Sequence, residues 1–386
     1  MIRVAIYGNN KVAQIAQHVI ERLYNQLLQQ AGGEQLEIIT FVQNVEEGVV
    51  EEEHTCQINE AILQYKHKHF DAFLIPLENY VGNHSFVHAM IQGGVDINDI
   101  YLCSRMNGEG LDHMDTFLTP YLSKPYLPYL EYHVADQCNL NCRACEHYSG
   151  LVMEPKFPVF EEWKEQIQKL KSYISDIGMI RILGGEPLLN PELEKYIRKT
   201  KELYPEAIIG VVTNALLIKQ MPESFWKTMK ETDTVILISF YPPMKEKMPE
   251  IEKYIQEKGI TCSVSDYITC FTKKQVLTPQ PDRETEQVFF NCVQARCHNL
   301  YEGKLAACFL PFTTRYFNSY YKETLKEPLP EDGAIDLYQE GLTVEEMKLR
   351  LLVPFERCRY CSEPKEINWG QITHPSPLED WIKMEK

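Results

Sequence analysis

From residue 130 to residue 268, short apolar runs alternate with longer helical patterns, and this alternation limits the fold more than any other feature. Strands are expected at 130–136, 178–184, 207–213, 234–241 and 260–268, and helices at 159–174, 191–203, 222–231 and 247–258. Apolar runs of strand length, separated by helices, point to parallel strands covered on their faces. The repeat is long enough to close part of a barrel. Residues 1–104 follow the same logic, with apolar runs at 4–7, 36–42, 70–75 and 100–103 and helical patterns at 12–27, 58–65 and 86–91. Residues 105–128 contain Gly108, Gly110, Pro120, Pro125 and Pro128 and read as a linker. Beyond about residue 285 the pattern changes to hairpin signals, one helix at 343–352 and pairs of cysteines. An α/β chain is expected, organised as 1–104, 105–128, 129–285 and 286–386.

Charge narrows the partners. Lys and Arg total 39 against 55 Asp and Glu, a net charge of −16. A surface that tracks phosphates needs clustered cations, so a nucleic-acid partner is disfavoured, and so is attraction to an anionic membrane. No apolar run approaches the ~18–20 residues of a membrane helix; the best, 235–240, is strand-sized. Residues 1–8 lack the apolar region and cleavage site of a signal peptide. These features together predict a cytoplasmic protein with no membrane span.

Twelve cysteines are many for a reducing compartment, where clustered thiols serve metals or catalysis rather than disulfides. Cys138, Cys142 and Cys145 form one group; Cys292, Cys297, Cys308, Cys358 and Cys361 form another. Cys56, Cys103, Cys262 and Cys270 stand apart and are expected to be small buried apolar side chains.

The first group has the spacing C-x3-C-x2-C directly after an expected strand. Three thiolates on one short loop can hold three irons of a [4Fe–4S] cluster and leave the fourth iron open to a small molecule. Zinc is the competing reading. It usually takes four ligands in paired spacing, so His147 would have to supply the fourth.

This spacing after the first strand of a partial (β/α)6 barrel resembles the radical S-adenosylmethionine (radical SAM) superfamily, over roughly residues 130–275. Gly184-Gly185-Glu186-Pro187 follows the second barrel strand and is similar to the superfamily's GGE motif. The resemblance implies that this backbone and Glu186 receive the methionine amino group. Glycine there lets the backbone approach a ligand closely. Thr213-Asn214 ends the third strand, with Ala215 where many members have glycine, and Ser239 matches a position that commonly contacts the ribose. Ala144 stands where many members carry an aromatic residue.

In the C-terminal group, Tyr301-Glu302-Gly303-Lys304 is a two-residue turn signal. With that turn, Cys297 opposes Cys308 across a hairpin, and directly opposed side chains share a face. Cys358 and Cys361 add a C-x2-C pair. The arrangement resembles the twitch and SPASM extensions of radical SAM enzymes, and implies one auxiliary [4Fe–4S] cluster. Five cysteines compete for four places. The family spacing selects Cys292 with Gly303 and Cys308, whereas cross-strand opposition selects Cys297, and both choices stay open. A zinc ribbon is the alternative occupant.

Residues Gly8 to Ala13 occupy the position of a Rossmann fingerprint, but Asn10 replaces the second glycine and no carboxylate follows strand two near Asn44. A degenerate Rossmann-like domain serving as scaffold or docking module is expected, without a nicotinamide cofactor.

The resemblance implies reductive cleavage of S-adenosylmethionine, fed by a reductant such as flavodoxin or ferredoxin, to a 5′-deoxyadenosyl radical that takes a hydrogen atom from a substrate. The auxiliary cluster would take up an electron for net oxidation or position the substrate. The stretch from Cys138 to Tyr148, with GGEPLLNP and the cysteine-rich end, resembles bacterial proteins of polysaccharide biosynthesis, so a carbohydrate or sugar nucleotide is the expected small-molecule substrate. Alternatives are a maturase acting on a ribosomally made peptide and a non-enzymatic iron–sulfur scaffold or electron carrier. Glu146, His147, Tyr148, His133 and Asp136 are candidate substrate contacts, each also readable as a satisfied structural group.

Overall fold

The protein's structure, a computed structural model, describes residues 1–8, 11–30, 32–43, 55–77, 85–103, 118–273, 284–325, 327–361 and 365–381. Two compact units emerge. Met1–Pro128 together with Val344–Leu349 make one, and Tyr129–Thr343 with Arg350–Lys386 the other.

The first unit is built on strands β1 (Ile2–Tyr7), β2 (Leu36–Gln43), β3 (Thr55–Gln57), β4 (Ala72–Pro76), β5 (Ile100–Cys103) and β6 (Leu118–Pro120), in the order β3-β2-β1-β4-β5-β6. All neighbours pair in parallel except β5 with β6. β1 buries its last four residues and β4 all five, and Val4, Ile6, Ala13, Ile20, Ala72 and Leu74 form a core between sheet and helices. This is the expected Rossmann-like order. Gly8 lies at the end of β1 with φ 94°, whereas Asn9, Asn10 and Asn44 lie outside the described residues. Two expectations change. Residues 118–120 of the expected linker are an edge strand, and part of the helix expected in the C-terminal domain, Val344–Leu349, belongs to the first unit. Lys348 on that helix is buried, and its ammonium donates to the carbonyls of Tyr121 and, at 3.0 Å, Lys124.

The second unit is dominated by one sheet. Its strands are β7 (Tyr126–Ala135), which crosses the unit boundary, β8 (Asp176–Gly184), β9 (Ile208–Thr213), β10 (Val235–Ile238) and β11 (Cys262–Val264). β12 (Cys270–Lys273), β13 (Asn299–Tyr301), β14 (Lys304–Ala306), β15 (Ala334–Asp336) and β16 (Lys365–Asn368) follow. The order is β11-β10-β9-β8-β7-β13-β14-β15, with β12 and β16 paired antiparallel in a sheet of their own. Helices Phe160–Tyr173, Leu193–Leu203, Glu223–Glu231 and Met248–Glu257 connect β7 to β11 in turn. Their apolar stripes cover one face of the sheet: Ile180 and Ile182 are fully buried, and Tyr132, Trp163 and Tyr196 pack ring against ring at 4.7–5.0 Å. On the other face Met179 and Arg181 of β8 remain partly exposed. Five strands thus make the βα repeat; where a six-fold barrel would place its next strand, β12 turns away to pair with β16.

β13 and β14 form the expected hairpin, with Tyr301 opposite Lys304. Glu302 (φ 46°) and Gly303 (φ 73°) are both left-handed, as a two-residue hairpin turn requires. Glu302 is tolerated there while its carboxylate takes Lys156 and Arg315, each at 2.9 Å. β13 pairs in parallel with β7, so the sheet runs straight through residue 285 rather than breaking there. Of the four isolated cysteines, Cys56 and Cys103 are buried as expected, but Cys262 is half-buried and Cys270 exposed. Both lie on strands at a sheet edge.

Candidate active site

The cysteine triplet follows the end of β7. Asn141 (φ 48°), Ala144 (φ 51°) and Tyr148 (φ 57°) are left-handed, which curls the loop back on itself. Cys138, Cys142 and Cys145 are thereby brought near one another. Burial pushes the Cys138 thiol up to about 12, and Cys145's charge adds to it; Cys142 is raised further by burial and then by Cys145 and Cys138. Donors are aimed at the sulfurs: the Leu140 N–H (3.5 Å) and Asn214 Nδ2 (3.7 Å) at Cys138, and Trp369 Nε1 (3.2 Å) at Cys142. N–H groups directed at sulfur suit thiolates rather than thiols, which is the donor set a metal cluster needs.

The chain's end holds this loop from outside. Cys142 bridges Gln371, the Arg143 N–H donates to the Gly370 carbonyl at 2.7 Å, and the Ile372 N–H donates to the Asn141 carbonyl at 3.1 Å. The Ala144 N–H donates to Ser376 Oγ at 2.6 Å. The Arg143 guanidinium forms a two-pronged pair with Asp380, at 2.8 and 2.5 Å. Nothing in the sequence announced this clasp.

Gly184 and Gly185 are packed so tightly against the cysteine loop that side chains would not fit. A Cβ would lie 2.0 Å from the Ala135 carbonyl oxygen at Gly184 and 2.1 Å from that of Gln137 at Gly185. The Gly185 and Glu186 N–H groups donate to those same carbonyls at 2.7 and 3.0 Å. Glu186 is fully buried. Its carboxylate accepts from Leu188 N (3.1 Å), Thr213 Oγ1 (2.7 Å) and Asn214 N (2.9 Å), while burial pushes its pKa up to about 7. Through these three donors the carboxylate locks the end of β8 to the end of β9. Asn214 extends the lock to the cysteine loop through Asn139 Oδ1 at 2.8 Å. Ser239 lies just past β10, its N–H on the Thr213 carbonyl at 2.9 Å. Tyr241, beside it, senses the charges of all three cysteines and stacks near Trp369.

Of the candidate contacts on β7 and the loop, four join neighbouring networks. Asp136 pairs with His133 Nδ1 (3.2 Å) and accepts from Tyr301 (2.6 Å) and Tyr316. His133 Nε2 faces His147 Nδ1 at 3.2 Å, and His147 stacks on Phe309 at 4.1 Å. Burial, aided by His133, brings His147 down to about 3, so it is a neutral ring. Glu146 accepts from Gln294 at 3.4 Å. Tyr148 belongs to the second centre, through Arg357.

That centre gathers Cys292, Cys308, Cys358 and Cys361 around one cavity. Burial lifts all of their thiols whose shifts are resolved, and each of these is lifted further by others of the four. Cys297 does not line that cavity. The ladder begins at Asn299, and Cys297 closes the preceding helical turn Val293–Arg296. The cross-strand opposition therefore does not reach it, and the charges that act on it most are Glu131 and Arg181, followed by Cys292 and Arg296. Beside the cavity, fully buried Arg357 places Nη1 3.6 Å from Cys361 Sγ. A buried cation next to cysteines calls for ionised sulfur, as a bound cluster provides. Among the described residues no three Cys, His, Asp or Glu groups converge on a point that could hold a single ion.

The radical SAM superfamily profile matches residues 132–262. This stretch is a radical SAM domain. Such a domain works with a [4Fe–4S] cluster and S-adenosylmethionine, and its boundaries enclose the triplet, the GGEP turn, Asn214 and Ser239. A GTP 3′,8-cyclase of Clostridium botulinum is 34% identical over 101 residues, 26% of this chain and 31% of its own. One from Limosilactobacillus fermentum is 27% identical over 142 residues, 36% of this chain and 40% of its own. The chain thus spans well under half the length of these curated relatives. The crystal structure of BtrN in complex with AdoMet and 2-DOIA aligns at 15% identity with a TM-score of 0.38, over 61% of this chain and 93% of that one. Among the described residues no helix is long and apolar enough to cross a membrane.

Proposed function

We propose that this chain is a radical SAM enzyme that takes a hydrogen atom from a small polar substrate, a carbohydrate or sugar nucleotide, and that a second [4Fe–4S] centre assists it. The observation that carries the proposal is the pair of separate cysteine sets, one with three thiols beside the glycine turn and one with four. Cys138, Cys142 and Cys145 would hold the first cluster and leave one iron for S-adenosylmethionine; Cys292, Cys308, Cys358 and Cys361 would hold the second.

When bound, the first cluster and S-adenosylmethionine supply a 5′-deoxyadenosyl radical. The chain's own residues bind, orient and exclude water. Gly184 and Gly185 let the turn lie directly against the cysteine loop, Glu186 keeps that turn in place through Thr213 and Asn214, and the Ser239 N–H is held on the Thr213 carbonyl. Arg181, partly exposed on β8, lies over Tyr129 at 5.2 Å and interacts with Glu131; it is a cation we assign to a polar substrate on that face. A parallel α/β first unit, in place of the winged helix of many peptide maturases, favours a small molecule over a peptide. A protein reductant such as flavodoxin or ferredoxin would provide the electron.

Anaerobic reconstitution with S-adenosylmethionine and dithionite tests the assignment. Wild-type protein should carry about eight irons, two [4Fe–4S] centres, and release 5′-deoxyadenosine. The triple variant Cys138→Ala, Cys142→Ala, Cys145→Ala should release none and retain about half the iron. Continued 5′-deoxyadenosine formation by that variant would refute the first site. Deuterium transfer from labelled sugar nucleotides into 5′-deoxyadenosine identifies the substrate class.

A further inference from the structure

Arg357 is among the largest completely buried side chains in the molecule, with 0% of its surface exposed. It sits in the helical turn Glu356–Tyr360 that presents Cys358, one turn before Cys361. The backbone is fixed from behind, where the Arg357 N–H donates to Asp332 Oδ1 at 3.0 Å. The guanidinium points inward. Nε reaches Thr314 Oγ1 at 3.3 Å, Nη2 reaches the Tyr148 hydroxyl at 3.4 Å, and Nη1 reaches Cys361 Sγ at 3.6 Å. Burial opposes its charge; Cys361, Tyr148 and Cys308 favour it. None of these is a carboxylate, and an arginine stays ionised in proteins. The anion that the guanidinium itself faces is therefore ionised sulfur of the second centre, with Cys361 Sγ at 3.6 Å.

We propose that Arg357 is the positioning residue that sets the reduction potential of the auxiliary cluster, by holding a fixed cation and an N–H donor against the Cys361 sulfur. The inference rests on the four-cysteine centre proposed above. A [4Fe–4S] cluster with four thiolates carries a net charge of −2 when oxidised and −3 after gaining one electron. A fixed cation at hydrogen-bond distance stabilises the second state more than the first, so it raises the potential without any proton or ligand change. The same guanidinium touches Tyr148, three residues beyond Cys145. This ties the second centre to the loop of the first by one side chain.

The test is a dithionite titration with redox mediators, followed by electron paramagnetic resonance, on full-length reconstituted wild-type protein, Arg357→Gln and Arg357→Lys. Arg357→Gln should shift the auxiliary cluster's reduction equilibrium toward the oxidised form by about ten-fold, which is 59 mV for one electron. Arg357→Lys should stay within roughly three-fold of wild type, since it keeps the charge, and the SAM-binding cluster should move in neither. An unchanged auxiliary potential in Arg357→Gln overturns the proposal, as does an equal fall in both variants. If Arg357→Gln loses the auxiliary iron while Arg357→Lys keeps it, the charge requirement is upheld; loss in both shows a packing role and overturns it. Wild-type protein that binds only four irons would instead refute the four-cysteine centre, a failure visible before any variant is made.

Discussion

Trp369 donates its indole N–H to the sulfur of Cys142 across 3.2 Å, although 227 positions separate them in the chain. The bond belongs to a clasp in which the chain's end pairs with Asn141, Arg143 and Ala144 as well. A loop with several left-handed residues is costly to hold by itself. The clasp supplies the outside partners that keep its conformation, and one of them reaches a sulfur directly.

Trp369→Phe should therefore separate holding the loop from tuning the cluster. The backbone bonds of Arg143 and Ile372 persist, so iron content should match wild type. The lost N–H should make the first cluster harder to reduce and slow S-adenosylmethionine cleavage by about ten-fold, since a hydrogen bond to a charged group contributes about 1.5–3 kcal/mol. Spectroscopic redox titration and 5′-deoxyadenosine release measure the two effects. An unchanged potential would leave Trp369 with packing alone.

Cys292 and Cys297 should behave differently. Cys292 lines the cavity shared with Cys308, Cys358 and Cys361, and Cys297 does not. Cys297→Ala should keep the full complement of iron, whereas Cys292→Ala should lose up to about half of it, as one [4Fe–4S] centre fails to assemble. Iron analysis after anaerobic reconstitution decides; loss in Cys297→Ala with retention in Cys292→Ala would reverse the assignment.

Much of the second unit was legible because its signals are local. Strands β7 to β10 and their helices are set by apolar period and length, and the glycine turn announces itself by composition. The Tyr301–Lys304 hairpin was legible for the same reason, since a two-residue turn fixes its own register. What escaped are pairings between distant segments. β6 is three residues long and gains its identity only from β5. β16 is defined by β12, and the clasp by its partners on the cysteine loop. Cys297 misled because the register was extended beyond the ladder, where the chain leaves the strand for a helical turn. Nor does the GGE motif reveal that three internal donors surround the Glu186 carboxylate.

Gly185→Ala should disable the S-adenosylmethionine cradle. The added methyl carbon would lie 2.1 Å from the Gln137 carbonyl oxygen and 2.9 Å from that of Asp136, both backbone atoms that cannot swing aside. Either the β8 turn or the cysteine loop must shift, and the Glu186 N–H bond to Gln137 goes with it. The expected outcome is a loss of S-adenosylmethionine affinity of at least about ten-fold, the equivalent of 1.4 kcal/mol. Far-ultraviolet circular dichroism should stay native, and the auxiliary iron should remain. Equilibrium binding by the reconstituted variant at wild-type strength would show that the turn has room to spare.

Lys348 offers a pH test of the first unit. Its ammonium is buried over the Tyr121 ring at 4.1 Å, and burial, with Lys124's charge nearby, brings its pKa down from 10.5 to about 7. Between pH 7 and 10.5 the unfolded chain holds this proton and the folded chain does not. Stability rises with pH wherever the unfolded state binds more protons, so this group favours folding more at pH 9.5 than at pH 7. Below pH 7 both states carry the charge, and the burial penalty is constant. Lys348→Met removes the titration and keeps an unbranched apolar stem, at the cost of leaving the Tyr121 and Lys124 carbonyls to water. The difference in Tm between wild type and variant should therefore move in favour of wild type as pH rises from 6.5 to 9.5. Parallel pH profiles for the two proteins would mean that the Lys348 proton is bound equally in both states.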